Sequence, residues 1–231
     1  MNSVGRLYAK QEHLIPQRQI WKAIAEDIKE AIISGRYKSG ERLKEADLAA
    51  KYSVSKTPVR EAIRYLEGIG FVEIIPHTSL RVTKMNKKDV QNHYRIQGVL
   101  EGLAVREALP NMTQKDYDEM EKCTILLEKH SHENDYAQYA KANNHFHSII
   151  WAASDNERLL EMLQNTFEKI QRFHSVPRRF PGRFKGLAFD HRKILEAVVQ
   201  KDEERSEMLA RRHVQKQEQY IVELLEREDS F

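Results

Sequence analysis

The sequence predicts a mainly α-helical protein, and three observations lead to this fold class. Apolar residues recur at intervals of three or four along most of the chain, as they do on one face of a helix. Breaks between these periodic stretches contain Pro110, Pro177 and Pro181, which favour turns. Two short runs, Phe71–Ile75 and Leu80–Thr83, are instead rich in β-forming residues. We therefore expect helices along the chain, with one small β-element.

Length and composition set the broad class of protein. The 231 residues are enough for two domains, 40% hydrophobic residues support hydrophobic cores, and 32% charged residues indicate a soluble, charge-rich surface. No stretch is apolar enough to span a bilayer, and Met1–Pro16 lacks the apolar run of a signal peptide. The one cysteine, Cys123, excludes an internal disulfide framework and a cysteine-rich zinc finger. These features predict a cytoplasmic protein without a membrane association.

Charge is distributed unevenly along the chain. The net charge is +3, but residues 1–86 hold 15 Lys and Arg against 10 Asp and Glu, whereas the remainder holds 23 against 25. A basic front part suggests that only this part meets a polyanion such as nucleic acid.

Residues 19–85 are predicted to form one domain, after a flexible tail at residues 1–18. Its first helix has isoleucines four residues apart and ends in a glycine C-cap, at Ile20, Ile24, Ile28, Ile32 and Gly35. A turn at Tyr37–Leu43 leads to a second helix at Lys44–Tyr52. The two β-rich runs close the domain as a two-stranded hairpin, with its tip near His77–Ser79.

The third helix, Ser55–Leu66, follows the second after a very short connector. Ser55 is a good N-cap residue, and Pro58 lies in the first turn, where a missing N–H costs nothing. One face of the helix is apolar and another is basic, with the residues Val59, Ile63 and Leu66 against Lys56, Arg60 and Arg64. Two tightly joined helices, the second basic on its free side, followed by a hairpin, describe a winged helix-turn-helix. For the helix by itself, the alternative is an amphipathic helix with a solvated charged face.

The run from Ile20 to Thr83 resembles the DNA-binding domain of GntR-family bacterial transcription regulators. The resemblance rests on the spacing I-x-x-G-x-x-x-x-G-x-x-L at Ile32–Leu43, the block S-[RK]-T-P-V-R-E-A-[LI]-R-x-L at Ser55–Leu66, and the turn at Gly70–Val72. The chain departs from the family at Lys56, where arginine is common, and in the wing, which lacks the usual glycine.

This resemblance implies that the third helix enters the major groove with its N-terminus first, so that its early residues reach base edges. Arg60 is the best candidate for a guanine contact through two parallel donors, which is worth roughly 1–3 kcal/mol of discrimination. Arg64 has an alternative in an exposed salt bridge to Glu61 or Glu67. The remaining candidates, for phosphates, outer bases and the groove beside the wing, are Lys44, Ser55, Lys56, Thr57, Arg64, His77 and Thr78.

Residues 86–231 are predicted to form a second, all-helical domain. The helical patterns cover roughly Lys88–Leu109, Thr113–Asn134, Asp135–Ala153, Asn156–Val176, Phe184–Gln200 and Asp202–Glu228. Helices of this length with short connectors imply an all-α bundle.

Three histidines on three of these helices, His147, His191 and His213, are candidate metal ligands. Asn143 lies four residues before His147 and therefore on the same helical face, whereas His145 points away, about 200° around the helix. Three imidazoles and an oxygen ligand suit zinc, nickel or a similar divalent ion. The alternative is that these histidines are ordinary interior side chains with satisfied hydrogen bonds.

The stretch Val90–Leu225 resembles the FCD effector domain of the FadR-type GntR regulators. Its pattern is [DN]-x-x-F-H, then a histidine followed by I-L-x-A, then a lone histidine in the last helix, which here are Asn143–His147, His191–Ala197 and His213. The resemblance implies a divalent metal that helps to hold a small carboxylate effector, in a domain that also dimerises.

Two departures from the FCD pattern affect the expected site. Asn143 replaces the more common aspartate and offers a neutral carbonyl oxygen, which should reduce affinity for a dication. Gln97, one turn before Glu101, stands where the family often has an arginine that pairs with a carboxylate. The effector is then either less anionic than usual, or it is bound by Arg172 or another cationic side chain. The alternative for Arg172 is that it is an ordinary surface residue.

Three functions remain at this stage. The first is a homodimeric transcription regulator, by default a repressor, that binds a pseudo-palindromic operator and responds to a small organic acid. The second is a metal-dependent hydrolase or lyase, which the sequence disfavours because Asp190 is turned about 100° from His191 and no phosphate loop, nucleophile elbow or HExxH motif is present. The third is a constitutive DNA-binding dimer with a metal-free or vestigial pocket.

Overall fold

The computed structural model describes residues 20–75, 79–175 and 184–228. The chain divides into two compact units between Met85 and Asn86. The first unit contains helices and one small sheet, and the described part of the second is helical throughout. The predicted fold class, mainly α with a winged helix-turn-helix and an all-α bundle, is confirmed. None of the described helices is long and apolar enough to cross a membrane.

The first unit contains three helices and three short strands within the described residues. In chain order these are α1 (Ile20–Ile33), β1 (Arg42–Leu43), α2 (Glu45–Tyr52), α3 (Lys56–Gly68), β2 (Val72–Ile75) and β3 (Ser79–Val82). The antiparallel sheet has the order β1-β3-β2, with Leu43 opposite Leu80 and Val72 opposite Val82. Because those four side chains are all buried, the sheet is held by its apolar face as well as by its ladder.

The prediction of a turn at Tyr37–Leu43 and a two-stranded hairpin was wrong in one respect. Arg42 and Leu43 form a strand that pairs with β3, which makes the wing a three-stranded sheet. Gly40 has a φ of +76° and donates its N–H to the Val82 carbonyl at 3.0 Å, so the turn before β1 is itself tied to β3. A strand of two residues is too short to show alternating polarity in a sequence. Of the predicted wing tip at His77–Ser79, His77 and Thr78 lie outside the described residues.

The core of the first unit lies between α1 and α3, with β2 and β3 beside it. Its members are apolar residues at the helical spacing expected from the sequence, among them Ile24, Ile28, Ile32, Val59, Ile63 and Leu66. Ser53 adopts a left-handed conformation, with φ +56° and ψ 42°, and this ends α2 abruptly enough for α3 to begin three residues later. Ser55 is the N-cap residue of α3, as predicted, but its side chain makes no cap hydrogen bond.

The second unit contains six α-helices within the described residues. They are α4 (Lys87–Ala108), α5 (Gln114–Glu133), α6 (Tyr136–Ala153), α7 (Glu157–Gln171), α8 (Phe184–Val199) and α9 (Glu203–Glu228). These bounds lie close to the predicted ones, except that α7 ends at Gln171 and continues as a 3₁₀ turn, Arg172–Ser175. Side chains of Asn86, Asp135 and Asn156 cap α4, α6 and α7, and Thr113 with Asp116 forms a capping box on α5.

The bundle is organised around α4. This helix packs along α9 and also contacts α6 and α7, while α5 packs against α6 and α8. Gly98 of α4 faces α9, and a Cβ added there would make an ordinary van der Waals contact, 3.6 Å from Val214 Cγ1. This arrangement brings the inner faces of α4, α6, α8 and α9 together, and the polar residues described next lie there.

Candidate metal centre and nucleic-acid interface

Three buried histidines from α6, α8 and α9 converge inside the second unit. His147, His191 and His213 each offer a ligand atom, and these atoms all lie within 4.8 Å of one another. The ring centroids of His191 and His213 are 4.3 Å apart, and Phe146 packs edge-on against His191 at 5.0 Å. A tetrahedral zinc site has Zn–N distances of about 2.0–2.1 Å and hence N···N edges of roughly 3.3 Å, so the rings need only a small inward shift to hold such an ion.

Hydrogen bonding around His191 fits a cation better than it fits a neutral ring alone. Its Nδ1 lies 2.8 Å from the Leu187 carbonyl oxygen, and its Nε2 lies 3.0 Å from Asn143 Oδ1. Both neighbours are acceptors, whereas a neutral imidazole has one N–H and can satisfy only one of them. When the Nδ1–H is donated to Leu187, the Nε2 lone pair and the Asn143 oxygen face each other, as two ligands of one ion do.

Burial keeps two of these histidines in the neutral form that metals require. Burial, together with the neighbouring His147, lowers the pKa of His191 to about 3. Burial and the charges of His191, His147 and Lys216 lower the pKa of His213 well below its ordinary value. Lone pairs on both rings are therefore available at neutral pH. Gln217 donates from Nε2 to His213 Nε2 at 2.7 Å, so metal ligation through that nitrogen requires this amide to turn.

A buried carboxylate supports the histidine cluster from α4. Glu101 is 3% exposed and accepts three hydrogen bonds, from His147 Nδ1 at 3.2 Å, Trp151 Nε1 at 3.0 Å and Gln97 Nε2 at 2.8 Å. Burial by itself would raise the pKa of Glu101, but the charge of His147 and these hydrogen bonds outweigh it and lower that pKa. An ionised Glu101 fixes His147 as a donor at Nδ1, which leaves Nε2 free to bind a metal.

Two other titratable residues close to the cluster in sequence, His145 and Asp190, make contacts elsewhere. His145 is exposed and lies 3.8 Å from Glu119. Asp190 points to α9, where Lys216 donates to both of its oxygens at 2.6 and 2.8 Å. The carboxylate next to His191 in sequence is thus already paired, which is the arrangement expected from its angle on the helix.

The two predicted effector residues occupy different surroundings. Gln97 is 3% exposed and lines a pocket beside the cluster, together with Tyr94, Glu101, Asn143 and His147. Arg172 is buried, contrary to its surface alternative; its Nη2 lies 3.5 Å from Asp89 Oδ2 and its guanidinium packs over the Phe173 ring. Among the described residues that line the pockets next to the histidines, Arg172 does not appear.

A second pocket adjoins the first and shares Tyr94, Asn143 and Gln217 with it. It encloses about 40 Å³ and is lined by aromatic, aliphatic and amide side chains. The aromatic members are Tyr94, Tyr136, Tyr139 and Tyr220. Together the two pockets form a cleft that reaches the histidines.

Sequence reasoning missed three residues of this centre. Glu101, Gln217 and Tyr94 were not proposed as contributors, although Gln217 lies four residues after His213 and Glu101 four after Gln97. These i, i+4 spacings were available signals, because such pairs share a helical face. Which of many such pairs meets the cluster depends on how the helices pack, and that requires the structure.

The predicted DNA-contacting residues of the first unit lie on its exposed surface. Those that the structure describes are all exposed, namely Lys44 at the start of α2, Ser55 at the N-cap of α3, and Lys56, Thr57, Arg60 and Arg64 within α3. Arg60 donates from Nε to Glu45 Oε2 at 2.9 Å, with both side chains well exposed. Neither of the salt bridges considered for Arg64, to Glu61 or to Glu67, is found within the described residues; Glu67 instead accepts from the Ile74 N–H. The basic face of α3 is therefore accessible, and the Arg60–Glu45 ion pair is weak and easily exchanged for a phosphate or base.

Comparisons with known proteins agree with this geometry. The profile described as "Bacterial regulatory proteins, gntR family" matches residues 21–82, and the profile of the FCD domain matches residues 92–216. YdhC of Bacillus subtilis (strain 168), named an uncharacterized HTH-type transcriptional regulator, is 28% identical over 200 residues, which are 86% of this chain and 89% of that protein.

Two further similarities concern proteins of Escherichia coli. The Glc operon transcriptional activator (strain K12) is 26% identical over 221 residues, covering 86% of this chain and 87% of that protein. The solved structure of E. coli McbR/YncC superposes with a TM-score of 0.74 at 25% identity, covering 90% of this chain and 98% of that one.

Proposed function

The chain belongs to the GntR family of bacterial regulatory proteins and has an FCD domain, and we propose that it is a repressor whose operator binding is released by a small carboxylate effector held beside a divalent metal ion. GntR-family proteins are transcription regulators that bind DNA, and FCD domains bind small-molecule effectors and are often associated with a metal. In this proposal, residues 19–85 bind DNA, and residues 86–231 bind effector and dimerise. Repression is proposed because family resemblance implies that it is the common arrangement. One relative is named an activator, so the operator-binding assay is designed to detect either a fall or a rise in affinity.

The observation that supports the metal most directly is the contact between His191 and Asn143. A neutral His191 places its second nitrogen 3.0 Å from an amide oxygen, with two further imidazoles adjacent. Three imidazoles and one carbonyl oxygen are a neutral donor set that suits zinc or nickel. An ion held there by Asn143, His147, His191 and His213 would supply the positive charge to which an effector carboxylate binds.

The chain's own residues give the effector a defined orientation. Glu101 is ionised and holds the His147 ring, so it is engaged in positioning rather than free to take up a proton. Gln97 and Tyr94 face the same pocket from α4, and the tyrosines of the adjoining pocket present apolar rings with hydroxyl groups at their tips. Because α4, α6, α8 and α9 all contribute, an effector that contacts this cleft can shift the packing of the whole bundle.

A homodimer is proposed because the exposed side of α4 is apolar. This helix is buried on its other sides, and its free stripe consists of Ile96, Val99 and Leu103, which are 54%, 53% and 37% exposed. A helix that is hydrophobic on all faces normally has a partner on each of them. Arg95 and Arg106 bound the stripe and pair with glutamates of α9, so the stripe has a polar rim. A second copy is the occupant we propose, since a two-fold dimer presents two α3 helices to the half-sites of a pseudo-palindromic operator.

The test combines metal analysis with operator binding on the full chain. Protein purified without a metal column is expected to contain about one divalent ion per chain, and His191→Ala to lose it. His145→Ala is the matched control, because His145 lies on α6 two residues from His147 but is exposed and outside the cluster. One member of a panel of small organic acids should raise the melting temperature and change operator affinity, measured by fluorescence anisotropy with an operator selected from random DNA.

The outcomes separate the alternatives. A fall in operator affinity with the acid supports a repressor, and a rise supports an activator. Metal retained at the wild-type level by His191→Ala would overturn the metal assignment. Specific operator binding that no metal or acid alters would leave the constitutive DNA-binding dimer. Turnover of any acid in the panel would support the enzyme in place of the sensor.

A further inference from the structure

Two buried polar atoms on α4 have no hydrogen-bond partner among the residues that the structure describes. They are Gln97 Oε1 and the Tyr94 hydroxyl, on side chains that are 3% and 1% exposed. Gln97 lies three residues after Tyr94, so the two side chains share a face of the helix. Both line the pocket beside the histidines, with Glu101, Asn143 and His147. Buried polar groups in native proteins are nearly always paired, and because these two line a pocket, a bound ligand can supply their partner.

The chemistry of these atoms restricts what can meet them. Gln97 has committed its Nε2 to Glu101 at 2.8 Å, so its amide presents only the carbonyl oxygen, which accepts and cannot donate. A carboxylate also only accepts, so it cannot pair with Gln97 Oε1. An ammonium group can donate to both atoms, but it would leave the Tyr94 hydroxyl proton without an acceptor. A hydroxyl group can donate to Gln97 and accept from Tyr94 at once.

We propose that the effector presents a hydroxyl group to Gln97 and Tyr94, and that this pair selects a hydroxylated monocarboxylate over both its deoxy analogue and a dicarboxylate. The inference rests on the proposed function, which supplies the site for the carboxylate. It adds the identity of the second anchoring group. Gln97 then acts as a specificity residue that reads a hydrogen-bond donor, in place of a second cation.

The experiment measures affinities of acids that share a carbon skeleton. The three-carbon series is lactate, propionate and malonate, and the aromatic series is mandelate, phenylacetate and phenylmalonate. Titration calorimetry on the zinc-loaded full chain gives a Kd for each. In at least one series the hydroxy acid is expected to bind at least about tenfold more tightly than the other two, because a site built to hydrogen-bond a hydroxyl discriminates strongly against its absence.

Variants at position 97 test whether Gln97 is the cause. Gln97→Leu removes the acceptor and should bring the hydroxy acid to the affinity of its deoxy analogue while leaving that analogue unchanged. Gln97→Arg should reverse the order and favour the dicarboxylate. Gln164→Leu, on an exposed position of α7, is the matched control and should change none of the ratios. The ratios within wild type keep the test decisive even where a variant at position 97 folds poorly.

Failure of this inference is distinguishable from failure of the proposed function. If, in both series, the deoxy acid or the dicarboxylate binds as tightly as the hydroxy acid, the hydroxyl proposal is wrong while the effector site stands. Equal weakening of all three acids by Gln97→Leu would also overturn it. If no acid of either series binds at 50 mM, the carboxylate effector itself is refuted, and this inference with it.

Discussion

Replacing Glu101 tests whether the hydrogen bonds around the histidine cluster have the roles assigned to them. In Glu101→Gln, the amide oxygen can keep the Oε2 position and accept from Trp151 and His147. The new NH₂ then faces Gln97, which can turn its own amide by 180° and offer the oxygen that has no partner. One polar atom of Gln97 is then without a partner, as in the wild type, but it is Nε2 in place of Oε1, and the charge assistance is lost. We expect a cost of about 1–2 kcal/mol in the free energy of unfolding.

Glu101→Ala removes the same acceptor without providing a substitute. It leaves three donors, on Gln97, His147 and Trp151, without a partner in a buried site. An unpaired buried donor costs about 1–3 kcal/mol, so with three such donors the free energy of unfolding should fall by roughly 3–9 kcal/mol. The difference between the two substitutions, rather than either value, measures the hydrogen bonding.

The assay is urea unfolding of the metal-free full chain in a Trp21→Phe background, where Trp151 alone reports on the second unit. Chelator competition then gives the zinc affinity, which Glu101→Gln should lower about 10–100-fold because the His147 ring loses its charged partner. Two results would refute the reasoning. One is equal destabilisation by Gln and Ala, and the other is a zinc affinity that Glu101→Gln leaves unchanged.

Three further predictions concern DNA contact, assembly and pH. Arg60→Ala should weaken binding to the specific operator by about 1–3 kcal/mol, with Arg60→Lys intermediate and non-specific DNA little affected; unchanged operator discrimination would contradict the contact. Val99→Glu, in the exposed stripe of α4, should give a monomer by light scattering, whereas Ile125→Glu, an equally exposed position on α5, should not. Burial raises the pKa of Asp27, but hydrogen bonds from Tyr52 and Lys51 outweigh this and hold it below its ordinary value. Its ionised form therefore stabilises the first unit above about pH 4, and that stability is lost as the pH falls further. Asp27→Asn should flatten this acid dependence of the melting temperature, and parallel profiles for the two proteins would disprove the linkage.

The helices were predictable from sequence because each has an apolar stripe with a 3.6-residue period and a recognisable cap. Asn86, Thr113, Asp135 and Asn156 each precede a helix and bond to its first turn. The short strand β1 was not predictable, since its pairing depends on Leu80, far along the chain. The change from α-helix to a 3₁₀ turn at Arg172 likewise has no signal in the pattern of apolar residues.

The candidate site was likewise predictable from the sequence only in part. Histidines on three helices could be named from spacing and family resemblance, and the structure places all three in one cluster. Their assignment as metal ligands stays a prediction. The engagement of Glu101 with His147, and the open acceptor of Gln97, could not be seen in the sequence, because each depends on which side chains α4 meets after packing.

The two departures from the FCD pattern, Asn143 and Gln97, compensate each other in charge. With an aspartate ligand and an arginine at position 97, the net charge of a bound dication and these two side chains would be +2, because the aspartate removes one unit and the arginine restores it. With the two amides, Asn143 and Gln97, the net charge is also +2. The positive charge then lies on the ion alone, and the side chain at position 97 can accept a hydrogen bond from the effector. Asn143→Asp should therefore tighten zinc, because an anion joins the ligands. The same change should weaken binding of any monocarboxylate effector, since the ion's effective charge falls. Chelator competition and calorimetry on the zinc-loaded variant measure the two effects separately. If zinc and effector affinity rise together, Asn143 does not face the ion and the compensation argument fails.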